Sequence, residues 1–182
     1  AGTDALTLGN FANSLTVSNA ETLSGGTGAD TVTLGSTLTG MTLNLGAGAD
    51  ALTLANVANT GTISNVETLT GNADADTITL ATALAAGTVN LAGGTDALTL
   101  ANGGNTVTVS NAETITGGTG ADLITLAAAI SAGTIDLGAG TDALTFGNFT
   151  NSATVSNVET VTGGTGADTV TLATLLTSGV VD

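Results

Sequence analysis

A phrase returns every 46 residues along this chain, and that return constrains the fold more than any other feature. Asp4, Asp50, Asp96 and Asp142 each open Asp-Ala-Leu-Thr followed by Leu or Phe. Four copies fill the 182 residues, about 2–47, 48–93, 94–139 and 140–182, beginning at Gly2, Gly48, Gly94 and Gly140. The last stops at Asp182, the counterpart of Asn44, Asn90 and Asp136, so both ends are expected to fall inside a unit. Self-similarity at this period marks a stacked array, because each unit leaves an apolar face that only its neighbours can bury. The expectation is one repeat array over 1–182, a segment of a longer chain or a filament subunit.

Each copy divides again, since a second turn Asp stands at Asp30, Asp76, Asp122 and Asp168 and the turn Asp residues alternate at spacings of 26 and 20. One rung per turn Asp is the simplest reading. In the shorter rung Thr31 to Leu34 reads as a strand, Gly35 to Gly40 as a turn, Met41 to Leu45 as a returning strand and Gly46 to Asp50 as the next turn. The longer rung adds a strand Leu6 to Leu8, a turn bracketed by Asn10 and Asn13, a strand Leu15 to Val17 and a short segment at Glu21 to Leu23. Leu6 with Leu8, Val32 with Leu34 and Leu43 with Leu45 alternate with Thr, so they share an inner face. No stretch carries a helical period, and Gly, Thr and Asn are poor helix formers. The predicted fold is all-β: a parallel β-solenoid (β-roll or β-helix) of four 46-residue repeats with about two rungs each.

Eleven Asp and four Glu give a net charge of −15 with no Lys, Arg or His to pair with them. Nucleic acid is not an expected partner, because it requires a basic patch. No apolar run is long enough to insert in a membrane. Without Cys there are no disulfides, so rigidity must come from packing or metal. With no His, Cys or Lys, no serine has a nitrogen base to activate it, and every carboxylate but Asp74 belongs to a repeated column; the chain is not expected to be an enzyme.

The turn Gly25-Gly26-Thr27-Gly28-Ala29-Asp30-Thr31-Val32-Thr33 closely resembles the glycine-rich nonapeptide of the RTX, or haemolysin-type, calcium-binding β-roll, and it returns at Gly117 to Thr125 and Gly163 to Thr171. In that family, glycine-turn carbonyls and the Asp side chain hold calcium between stacked turns. The resemblance implies Asp30, Asp122 and Asp168 as carboxylate ligands, with Gly25, Gly28, Gly117, Gly120, Gly163 and Gly166 at the carbonyl positions. It also implies export by a type I system. Two departures stand out: alternate turns are thinner, as in Gly46-Ala47-Gly48-Ala49-Asp50, and copy two reads Gly71-Asn72-Ala73-Asp74-Ala75-Asp76, with a carboxylate in place of a glycine.

Charge alone points the same way. Stacked rungs would set successive turn Asp residues roughly 4.8 Å apart, and each neighbouring pair would then cost on the order of 3.5 kcal/mol at an effective dielectric of about 20. If eight turns form one column, one divalent ion in each gap brings about +14 against −15. Calcium fits best, because soft and imidazole ligands are absent. The expected metal ligands are Asp4, Asp30, Asp50, Asp74, Asp76, Asp96, Asp122, Asp142 and Asp168, with Gly46 and Gly48 joining the glycines above.

Three further columns recur. Glu21, Glu67, Glu113 and Glu159 read as a solvated face or as auxiliary calcium ligands. Asn19, Asn65, Asn111 and Asn157 precede them, and stacked Asn would form amide ladders. Outward Thr pairs such as Thr31 with Thr33, Thr77 with Thr79 and Thr169 with Thr171 suit exposed strands, and they also resemble the ice-binding face of some antifreeze proteins, although Leu123 interrupts them. The functional expectation is a secreted, calcium-stabilised bacterial scaffold at the cell surface: an S-layer, a filament or an adhesin stalk, self-associating end to end or side by side. The alternative is an ice-binding or carbohydrate-contacting adhesin module.

Overall fold

The computed structural model describes residues 2–176 and 180–181; Asp182, aligned above with Asn44, lies outside the described residues. The first unit holds five strands, β1 (Ala5–Thr7), β2 (Ser14–Val17), β3 (Thr22–Gly26), β4 (Thr31–Leu34) and β5 (Thr42–Gly46). The second holds β6 (Ala51–Thr53), β7 (Thr60–Ser64), β8 (Thr68–Asn72), β9 (Thr77–Leu80) and β10 (Gly87–Ala92). The third follows with β11 (Ala97–Thr99), β12 (Thr106–Ser110), β13 (Thr114–Thr116), β14 (Leu123–Leu126) and β15 (Gly133–Asp136). The fourth runs through β16 (Ala143–Thr145), β17 (Ser152–Ser156), β18 (Thr160–Thr162), β19 (Thr169–Leu172) and β20 (Val180–Val181). Among the described residues there is no helix, and so none long and apolar enough to cross a membrane.

Odd-numbered strands form one ten-stranded parallel sheet and even-numbered strands the other, each in chain order. The chain is thus a parallel β-solenoid with two strands per coil. The two-rung reading of each unit does not hold, for a countable reason: the chain closes a coil every 17 or 20 residues, as Ala5 pairs with Thr22 and Thr22 with Thr42. Five strands per unit make two and a half coils. Because five is odd, equivalent strands change sheets from one unit to the next: β1 and β11 lie in the odd sheet, their counterparts β6 and β16 in the even one. Neighbouring units are therefore related by a half turn about the solenoid axis.

The core follows from alternation. Val32, Leu34, Leu43 and Leu45 are buried while Thr31, Thr33, Thr42 and Asn44 between them face outward. In register, Val32 stacks on Leu52 and Leu52 on Leu69; on the opposite sheet Ile78, Leu98 and Ile115 stack in the same way. Leu38, Leu84 and Ile130 enter from the turns between sheets and close the core on alternating sides. Burying each such side chain contributes about 1.5–3 kcal/mol. Leu6, Leu8 and Leu15 are only half-buried because they belong to the first coil and have a neighbour on one side alone.

Candidate metal centre

The half-turn relation redistributes the acidic residues. Asp30 and Asp50 stand immediately before β4 and β6, adjacent strands of the even sheet, so they stack at one corner. Asp76 and Asp96 precede β9 and β11 at the corner entering the odd sheet, and Asp122 and Asp142 return to the even one. A 20-residue spacing is one coil on the same side; a 26-residue spacing is a coil and a half, ending on the other side. The eight turn Asp residues therefore do not form the single column with seven gaps expected from the sequence. They form two-layer pairs on alternating sides, with Asp168 beginning another and Asp4 standing above Glu21.

Each pair is the middle of a four-layer ladder of Asn, Asp, Asp and Glu. Asp30 Oδ1 accepts hydrogen bonds from the backbone N–H of Asn13 at 2.9 Å and from its side-chain amide at 2.7 Å. The Asp30 N–H donates to Asp50 Oδ1 at 2.7 Å, and the Asp50 N–H donates to Glu67 Oε2 at 2.8 Å. The second ladder repeats this through Asn59, Asp76, Asp96 and Glu113, and the third through Asn105, Asp122, Asp142 and Glu159. Each carboxylate thus satisfies a backbone N–H of the coil before it, which a corner would otherwise leave orphaned. The Asn amide also bonds its own turn: Asn59 Nδ2 donates to the carbonyls of Ala55 at 3.0 Å and Val57 at 2.6 Å.

One oxygen per Asp is used this way; the other is not. Oδ2 of Asp30, Asp50, Asp76, Asp96 and Asp142 is buried with no hydrogen-bond partner. Asp30, Asp50 and Asp76 are 0 % exposed. Oδ2 of Asp122 and Asp168 reach the N–H groups of Gly118 and Gly164 only at 3.5 and 3.4 Å. Burial pushes the Asp96 carboxyl up to about 6, against the opposing hydrogen bond from Asp76 and with the added charges of Glu113 and Asp76. Asp50 and Asp142 are raised for the same leading reason, burial. Asp168 moves the other way, held below the ordinary carboxylate range by the Asn151 amide.

Among the described residues no three acidic side chains converge on a point. A cation at a corner would meet two Asp carboxylate oxygens, and the rest of its shell would be backbone oxygen. The glycine turns beside the pairs are close-packed backbone. A Cβ on Gly25 would run into the Leu45 carbonyl of the next coil, and one on Gly117 into that of Leu137. Gly28 lies against the Phe11 carbonyl and Gly166 against that of Phe149, while Gly120 is pressed on Gly103 and Gly104. Gly46 has φ +89° and stacks on the Gly26 carbonyl, and Gly48 stacks on that of Gly28. Gly163 is half-buried near Gly166 and Asp168. Asp4 is exposed at the first coil, and Asp74 is exposed in its turn between Ala73 and Ala75, apart from the buried pair Asp76 and Asp96.

The Glu column belongs to the ladders: each Oε2 caps the N–H of the Asp one coil before it, with Glu21 exposed and Glu67, Glu113 and Glu159 half-buried. The Asn residues at the base of the ladders are Asn13, Asn59, Asn105 and Asn151, of which Asn13 is legible in the sequence as a turn bracket. A signal for both was present: Asn13 to Asp30 and Asp50 to Glu67 are each 17 residues apart, one of the two coil lengths. The expected amide ladder reduces to pairs, in which Asn65 and Asn111 each bond one Asn of a neighbouring coil. Asn65 Nδ2 donates to Asn44 Oδ1 at 2.7 Å and Asn111 Nδ2 to Asn90 Oδ1 at 2.8 Å, with Asn65 and Asn111 in the left-handed region at φ 53° and 54°. Compared with known protein families, with curated proteins and with solved structures, the chain matches none.

Proposed function

We propose that this chain is a non-enzymatic structural element of a bacterial cell surface, an S-layer, filament or adhesin stalk whose solenoid is locked by calcium at the paired Asp corners. The observation that carries the reading is the set of buried, unpartnered Oδ2 atoms in stacked pairs. A buried unpaired carboxylate is expensive. In most proteins Lys, Arg or His would compensate it, and this chain has none. Compensation must come from outside, as a proton or a metal cation. The donor set is all hard oxygen, which suits calcium and disfavours transition metals.

Extracellular placement follows from that dependence, because a chain needing millimolar-range calcium would fold after export. The scaffold role rests on repetition: the Asp pair recurs three times along the solenoid, on alternating sides, whereas an active site is unique. Far-UV circular dichroism of metal-free protein at neutral pH, titrated with calcium and separately with magnesium, tests the reading. Cooperative gain of β signal with calcium alone is expected. Full β signal without metal, unchanged by calcium, would contradict it.

A further inference from the structure

One turn of the solenoid is chemically unlike its counterparts. Between β11 and β12 the chain reads Ala101-Asn102-Gly103-Gly104-Asn105, and of all the Asn residues only Asn102 is followed by Gly. At the same place the other units carry Asn10-Phe11, Asn56-Val57 and Asn148-Phe149. The difference extends to hydrogen bonding. Asn56 Oδ1 accepts the Ala73 N–H at 3.4 Å, and Asn148 Oδ1 accepts the Thr165 N–H at 3.1 Å. The Val57 and Phe149 N–H groups are engaged as well, donating to the Ala55 and Gly147 carbonyls at 2.8 and 2.7 Å. In the third unit only the main-chain carbonyl of Asn102 is held, accepting from the Thr119 hydroxyl at 3.1 Å. Among the described residues neither the Asn102 side-chain amide nor the Gly103 N–H has a partner, and Asn102, Gly103 and Gly104 are exposed.

We propose that Asn102 is a site of spontaneous deamidation that unfastens the third ladder as the protein ages. The Gly103 nitrogen attacks Asn102 Cγ: a C–N bond forms, the bond to the side-chain nitrogen breaks, and ammonia leaves with the proton that Gly103 gives up. Water then opens the five-membered imide. Opening at one C–N bond gives Asp. Opening at the other gives an isoaspartyl link, whose main chain runs through Cβ and Cγ and is one atom longer. Overall, oxygen from water replaces the amide nitrogen, and nothing is oxidised or reduced. Gly103 favours the attack because it has no Cβ to block the approach and its backbone is free to reach the ring geometry; Val57 or Phe149 at the same place hinders it. The consequence lies in the packing. Asn105 anchors the ladder, its Nδ2 donating to the Ala101 carbonyl at 3.0 Å, to the Gly103 carbonyl at 2.8 Å and to Asp122 Oδ1 at 2.8 Å. An extra main-chain atom between residues 102 and 103 finds no slack, since a Cβ on Gly118 would already meet the Ala101 carbonyl oxygen at 2.5 Å, and one on Gly120 the Gly103 carbonyl carbon at 2.5 Å. The isoaspartyl form therefore shifts the carbonyls that Asn105 holds and loosens its grip on Asp122.

The full chain is aged at mildly alkaline and at mildly acid pH, in calcium and in chelator, and scored wherever circular dichroism shows the β fold, so that the outcome is separate from the calcium reading. Fragment mass spectrometry locates the acid form, and an isoaspartyl methyltransferase with a labelled methyl donor reports the rearranged link. Asn102 should convert many-fold faster than Asn56 or Asn148, and faster at alkaline pH, where the Gly103 nitrogen loses its proton more readily. Asn102→Gln, whose amide would need a larger ring, should stay unlabelled with an unchanged spectrum. Amide exchange reads the ladder itself. In aged protein the Asn105 and Asp122 N–H groups, bonded to the next coil at 2.8 and 2.7 Å, should lose protection that those of Asn59 and Asp76 keep. Freshly made Asn102→Asp, with the charge but not the extra atom, should keep it. Asn102 unconverted in folded protein while the urea-unfolded chain converts, conversion no faster than at Asn56, or isoaspartyl protein with Asn105 and Asp122 still protected overturns the proposal.

Discussion

Replacing Asp96 with Asn should stabilise the metal-free protein and weaken the calcium form. Asn keeps an Oδ1 that can accept the Asp76 N–H, the bond Asp96 makes at 2.7 Å. It removes a charge from a site 1 % exposed and puts an amide where the unpartnered Oδ2 stood, beside the Asp76 carboxylate. The magnitude comes from the carboxyl itself, pushed by burial from 3.8 up to about 6. A carboxyl raised in the fold contributes stability that is fully present below its unfolded value, about 3.9, and is lost as pH rises through about 6. Metal-free wild type should therefore be less stable at pH 7.5 than at pH 4.5, by about 2 kcal/mol from this one group. Asp50 and Asp142, raised for the same reason, add in the same direction. Asp168, lowered, loses its contribution only at more acid pH. In chelator at pH 7.5, D96N should retain more far-UV β signal than wild type and show a flatter pH dependence. In calcium the order should reverse, because the variant has lost a carboxylate ligand. A D96N protein less stable than wild type in both buffers, or a metal-free wild type that weakens from pH 7.5 to 4.5, would refute the reasoning.

Asn59→Ala removes the amide bonds to Ala55, Val57 and Asp76 and the acceptor for the Leu38 N–H; it should cost about 2–4 kcal/mol in urea denaturation, whereas Asn56→Ala, exposed in the same turn, should stay within about 0.5 kcal/mol. Gly25→Ala forces a Cβ into the Leu45 carbonyl and should lower the calorimetric midpoint far more than Gly40→Ala, where a Cβ meets nothing and the loss is the roughly 1 kcal/mol of a left-handed backbone. Leu98→Ala, in a fully buried column, should cost about 2–5 kcal/mol, and Leu6→Ala in the first coil distinctly less, by the same denaturation assay.

What the sequence discloses here is environment; what it conceals is pairing. Alternation placed Val32, Leu34, Leu43 and Leu45 inside and their Thr neighbours outside, and the structure agrees. The coil count was less accessible, because a 46-residue period records that Asp4 and Asp50 have equivalent surroundings, and a half turn about the axis preserves those surroundings while changing the sheet. Only strand pairing, a non-local fact, reveals that five strands separate them. Register likewise gathers the outward strand Thr residues on two sheet faces, a placement the 46-residue period does not disclose. Glu67 could not be read as a cap from composition, since its oxygen turns to the Asp50 N–H only after the coils stack. The glycines were legible as turn residues, yet the reason for Gly25, a carbonyl of the next coil against its Cα, exists only in the stack.

The proposed function requires calcium between paired Asp residues on alternating sides. Anomalous difference density from calcium-grown crystals tests it most directly. Peaks should appear between Asp30 and Asp50, between Asp76 and Asp96 on the opposite side, and between Asp122 and Asp142 back on the first. A continuous row of peaks along one side, or well-ordered corners with no anomalous density, would contradict it.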